Sequence, residues 1–132
     1  MQTLDLIGKP WAIPCDPPHS YDCWELAVEV RNRMGLFTPT YDIPPMIRKL
    51  AHQSDFGTPD PALWHPMPEP TEGCLVGFGR PAIKHCGVYL NEYVIHSHSA
   101  DGVVGAVMMT RLRSMGLVYG QPSFWEPEYA IN

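Results

Sequence analysis

His85-Cys86-Gly87-Val88-Tyr89-Leu90-Asn91-Glu92-Tyr93-Val94-Ile95-His96-Ser97-His98 is the stretch that decides the fold. Two runs rich in β-branched and aromatic residues, His85–Leu90 and Tyr93–His98, flank the polar pair Asn91-Glu92. Such a pattern predicts two antiparallel strands joined by a two-residue turn. The turn then fixes the register. Leu90 pairs with Tyr93, His85 pairs with His98, and His96 sits opposite Gly87. His85 and His96 share one sheet face as diagonal neighbours, because side chains alternate with a period of two. Gly87, without a side chain, leaves room between the two imidazoles.

The rest of the chain is read outward from this hairpin. Cys74–Phe78 predicts a strand before it, and a fourth lies near Gly102–Met108. Met109–Met115 reads as a short helix or a turn, and Gly116–Tyr119 and Phe124–Trp125 as segments that close the sheet. Upstream, a helix is expected over Asp22–Met34. Trp24, Ala27, Val28, Arg31 and Met34 recur at helical spacing, Ser20 and Asp22 are candidate N-caps, and Gly35 suits the position after the last turn. A second helix is expected from Pro44-Pro45 to about His52. Prolines at 59, 61, 66, 68 and 70 make residues 57–73 an extended surface loop with Trp64 as an anchor, and residues 1–21 an irregular lead-in. Helices followed by a strand meander predict one α+β domain with an antiparallel sheet over residues 1–132.

Composition narrows the function. A chain of 132 residues can bury roughly 70% of its unfolded surface and hold a core without staples. Its net charge of −5 argues against general nucleic-acid binding, which needs a basic face. No apolar run is long enough for a membrane span, and Met1–Ile7 carries Asp5 and lacks the basic start of a secretory leader. The four cysteines, Cys15, Cys23, Cys74 and Cys86, form no C-x-x-C pair, so they are expected to be free thiols.

Cys23 has a special setting. It falls in the first turn of the predicted helix, where main-chain N–H groups and the helix dipole favour a thiolate. Set beside the paired histidines, it supplies a nucleophile, with His85 as base and His96 as the group that orients the base. A lesser reading gives His85, His96 and His98, with a cysteine, to zinc. His98 is otherwise a polar neighbour of the cleft. His19, His52 and His65 read as surface residues.

Three landmarks carry a resemblance to a known family. Tyr21-Asp22-Cys23-Trp24-Glu25-Leu26 is similar to an aromatic-Asp-Cys-x-Gly-Leu nucleophile motif. Glu72-Gly73-Cys74-Leu75-Val76 is similar to a Pro-Gly-Asp-Leu-Val strand entry. His85–Leu90 is similar to a His-Val-Gly-Ile-Tyr-Leu strand. In this order they resemble the NlpC-like cysteine peptidases, papain-like enzymes that cut peptidoglycan stem peptides. The resemblance implies a papain-like fold and the catalytic residues Cys23, His85 and His96, with no metal or cofactor. It implies an oxyanion hole at the Cys23 main-chain N–H. It also places Trp11 of the lead-in, Tyr21, Asp22 and His98 at the substrate cleft. Short members with Asp-Cys-Trp resemble those encoded beside the tail genes of long-tailed bacteriophages. The implied location is then the virion tail tip, acting at the host cell wall, with tail-hub proteins as partners. Glu25, where the family has a small residue, and the shortened hairpin favour an alternative: a structural tail-hub or assembly protein with weak or no hydrolysis.

Overall fold

The computed structural model describes residues 3–12, 15–39, 63–79, 83–99 and 105–127. The helix expected over 44–52 and the start of the proline-rich stretch lie outside these residues. Among the described residues, two helices and a six-stranded antiparallel sheet form an α+β fold. Chain order is α1 (Cys23–Arg33), β1 (Trp64–Met67), β2 (Leu75–Phe78), β3 (His85–Leu90), β4 (Tyr93–Ser99), β5 (Gly105–Arg111), α2 (Leu112–Tyr119) and β6 (Pro122–Pro127). Spatial order is β1-β6-β2-β3-β4-β5. No helix among the described residues is long and apolar enough to cross a membrane.

α1 begins where its sequence says it should. Asp22 is the N-cap, and its carboxylate accepts a 2.7 Å hydrogen bond from the Glu25 N–H, meeting one of the donors that a helix start leaves open. Ser20, the other candidate, instead accepts from the Asp16 N–H. Gly35 follows the last turn at φ 76°, as a helix stop requires. The buried stripe of α1, Leu26, Ala27 and Val30, lies in one core with Leu75, Cys86, Val88, Ile95 and Val107. α1 therefore covers the β3–β4 region of one sheet face. Arg31 is fully buried on the same helix. Its guanidinium donates to Thr38 Oγ1 and to the carbonyls of Phe37 and Gly73, and lies 5.9 Å from the Trp64 ring centroid.

The opposite face has a different filling. Cys74, Val76, Phe78 and Val94 pack with Met115, Leu112 and Tyr119 of α2 and with Phe124. Three expectations are corrected here. Gly116–Tyr119 belongs to a helix and not to the sheet, because Leu112, Met115 and Tyr119 recur at helical spacing and all reach this core. The fourth strand runs to Arg111, through the residues assigned to a helix or turn. The proline-rich stretch is not all loop. Trp64–Met67 is a strand, tolerated despite Pro66 because it is the sheet edge and pairs only with β6.

The far edge, β5, is covered by the lead-in. Gly8 N–H donates to the Val107 carbonyl, Val107 N–H to the Lys9 carbonyl and Trp11 N–H to the Gly105 carbonyl, each at 2.9 Å. Leu6 is buried beneath this strap.

Candidate functional site

The β3–β4 hairpin follows the expected register, Leu90↔Tyr93, Tyr89↔Val94 and Val88↔Ile95. Its turn holds Asn91 at φ 46° and Glu92 at φ 71°, the left-handed pair that a two-residue turn of this kind demands. The ladder ends at Val88↔Ile95. Past that point β3 continues against β2 as far as Phe78↔His85, and β4 against β5 as far as Ser99↔Gly105. The expected pairs Gly87–His96 and His85–His98 thus fall beyond the end of the ladder, and the histidines meet through their side chains. Gly87 does not hold open a space. A Cβ there would come within 2.5 Å of Val94 Cγ1, 2.7 Å of the Ile95 carbonyl and 3.0 Å of His96 Cβ. The absence of a side chain at this position lets β4 approach.

Nε2 of His85 and Nδ1 of His96 share a 2.8 Å hydrogen bond, and Nε2 of His96 and the Thr110 hydroxyl share one of 3.0 Å. Two proton arrangements satisfy both contacts with neutral rings. In one, His85 donates to His96 and His96 donates to Thr110, so Nδ1 of His85 carries the lone pair a base needs. His98 completes the cluster. Its ring centroid is 6.2 Å from that of His85 and 6.0 Å from that of His96, and its Nδ1 is hydrogen-bonded to the Tyr119 hydroxyl.

Tyr119 also stacks on His85, with centroids 4.6 Å apart and planes 18° from parallel, while Phe78 flanks both rings. Tyr119 and Thr110 were missed as site residues in the sequence. The Leu112–Met115–Tyr119 spacing was the available signal for Tyr119. Nothing local to Thr110 marks it.

Burial sets the charge state of His96 and His98. It is the main cause that pushes His96 down to about 3, reinforced by His85 and His98 and opposed by Cys23. His98 is lowered for the same first reason, with His85 second. Tyr119 is pushed up to about 12 by burial and then by Cys23. His96 is therefore a neutral ring near pH 7.

Cys23 is the first residue of α1 and is wholly buried. It belongs to the core on the α1 side of the sheet, whereas His85 and His96 lie against Phe78 and Tyr119 on the other. A thiolate at Cys23 would raise both His96 and Tyr119. The start of α1 is fixed near the open end of the ladder by Ser97, whose hydroxyl donates a 2.6 Å hydrogen bond to the Tyr21 carbonyl. The structure thus gathers His85, His96 and His98 in one cluster, with Cys23 in the core on the opposite face of the sheet.

The other expected cleft residues are less free. Tyr21 is buried, which raises its phenol above the ordinary range. Asp22 is buried, with its carboxylate on the helix cap. Trp11 is held by the main chain of Gly105 and a bridge to Tyr21. None of the four cysteines is in a disulfide, and Cys15 alone is partly exposed. A cavity of about 320 Å³ beside Tyr89, Arg111 and Leu112 opens at the turn end of the hairpin, away from the histidines. No family model, no curated protein and no solved structure matches the chain.

Proposed function

We propose that this protein is a cysteine peptidase of the NlpC-like, papain-like kind, cutting an amide bond in a peptidoglycan stem peptide. The His85–His96 hydrogen bond of 2.8 Å carries the reading. It supplies a base with an oriented ring, and the neutral, buried His96 suits that orienting role. The mechanism requires Cys23, which packs on the α1 side of the sheet, to reach Nδ1 of His85 past the end of the ladder; that nitrogen takes the thiol proton, and Sγ attacks the carbonyl carbon. The proton then passes to the leaving amine, and water releases the acyl group. The helix start at Cys23 favours the thiolate and offers its main-chain N–H to the oxyanion. The resemblance to phage tail-associated members supports an activity at a tail tip, with a tail hub supplying the targeting.

The test is cleavage of a defined stem peptide by the wild type and by Cys23→Ala. The variant is expected to fold and to lose cleavage to background. Normal cleavage by Cys23→Ala overturns the mechanism. A structural tail-assembly role is favoured by one observation: Cys23 and His96 are at most 1% exposed, and His85 is 8% exposed. That reading expects Cys23→Ala to assemble normally and the wild type to cleave nothing.

A further inference from the structure

We propose that His85, His96 and His98 form a binding site for a transition-metal cation of the zinc class. Their ligand nitrogens all lie within 4.8 Å of one another. A tetrahedral zinc, with Zn–N bonds of about 2.0–2.1 Å, needs nitrogens about 3.4 Å apart. The closest pair, Nε2 of His85 and Nδ1 of His96, is at 2.8 Å. Exchanging the proton between these two nitrogens for a metal therefore requires them to part by only about half an ångström.

The outer contacts of His96 and His98 match what a metal-binding imidazole requires. Such a ring is held by a hydrogen bond at its other nitrogen, which fixes the tautomer and the ring plane. His96 has its Nε2 on Thr110 and its Nδ1 directed at His85. His98 has its Nδ1 on Tyr119, which leaves Nε2 for a ligand bond. The ring of His85 is fixed by stacking on Tyr119. Two strands present the three rings on one face, since His96 and His98 are two residues apart and His85 is on the neighbouring strand. Three imidazoles suit zinc, cobalt, nickel or copper better than magnesium or calcium, and leave a fourth position for water. A loaded site cannot keep the His85–His96 hydrogen bond. The proposal uses only the three rings and stands whether or not Cys23 is a nucleophile.

The experiment is equilibrium dialysis of the full chain against micromolar zinc, and against cobalt as a spectroscopic probe. One metal per chain is expected, with the visible absorption of four-coordinate cobalt. His98→Gln is expected to weaken zinc binding by at least tenfold, and Tyr119→Phe by about tenfold through the lost outer contact. Exchange of the exposed His19 and His65 for alanine is expected to change nothing. Because His98→Gln or Tyr119→Phe can perturb folding, long-range proton–nitrogen spectra of the wild-type imidazoles are recorded with and without zinc. Shifts confined to His85, His96 and His98 support the site. No stoichiometric uptake, binding that survives His98→Gln unchanged, or shifts on His19 and His65 alone would overturn it.

Discussion

The two ends of the β3–β4 hairpin are built on different principles. At the turn end, main-chain pairing continues to the last residue, and Val88, Val94 and Ile95 are wholly buried. At the other end the ladder has stopped, and the strands are linked by an imidazole pair, with Thr110 and Tyr119 holding the rings. The first end is held by apolar burial and hydrogen bonds between groups that every residue has. The second depends on specific side chains. The histidine cluster belongs to the second, and every hydrogen bond that holds its rings runs between side chains.

The comparison breaks most sharply under truncation. Ile95→Ala at the paired end deletes a fully buried side chain facing α1, and is expected to cost about 2–5 kcal/mol. Thr110→Val, on β5 opposite Val94 but bonded to the open-end ring of His96, keeps the shape but leaves Nε2 of His96 without its hydroxyl, and is expected to cost about 1 kcal/mol. Urea unfolding of both variants measures the difference. Equal losses would mean that the open end is held by packing after all.

Alkaline pH probes the sealed part of the sheet. Burial pushes the Cys74 thiol up to about 11, against 9.0 for an ordinary thiol. The raised value belongs to the folded state, so the unfolded chain releases this proton first. Stability is complete below about pH 9 and is lost as pH rises toward 11, by about 3 kcal/mol in all. Denaturant midpoints measured across this range for the wild type and Cys74→Ala test it. The variant is expected to start lower and to fall less steeply.

The smallest expected effect is a gain. Glu92 stands at φ 71°, where a side chain costs about 1–2 kcal/mol. Glu92→Gly is expected to raise stability by about 1 kcal/mol through its midpoint in urea, leaving the histidine cluster unchanged. A loss would show that the Glu92 side chain holds the turn by other means.

The hairpin was legible because its information is local: alternation, a polar pair, and a count of residues from the turn. α1 was legible for similar reasons, with a cap, a stripe and a glycine stop. What escaped notice is non-local. β6 lies between β1 and β2 although it comes last among the described elements, and nothing in Pro122–Pro127 states which strands will flank it. β1 was hidden by prolines, which forbid a central strand but not an edge. α2 was hidden by Gly116 and by the apolar Met108-Met109 run before it. Of the site, the His85–His96 meeting could be read from register, but the Tyr119 stack required knowing that α2 folds back over β3. The end of the ladder was also unreadable, because Gly87 signals close approach as readily as open space.

The strap over β5 bears on how copies of this chain behave toward one another. A sheet edge with a free row of main-chain donors and acceptors is a template for any passing strand. Residues 8–11 occupy that row through Val107 and Gly105, and at the other margin Pro66 offers no main-chain N–H at all. Protection of this edge is thus a property of the lead-in and not of β5 itself. A chain cut after Trp11 would lose Leu6 from the core and the Pro10 carbonyl that accepts from the Tyr21 N–H, and would bare the β5 margin to the edge of a second copy.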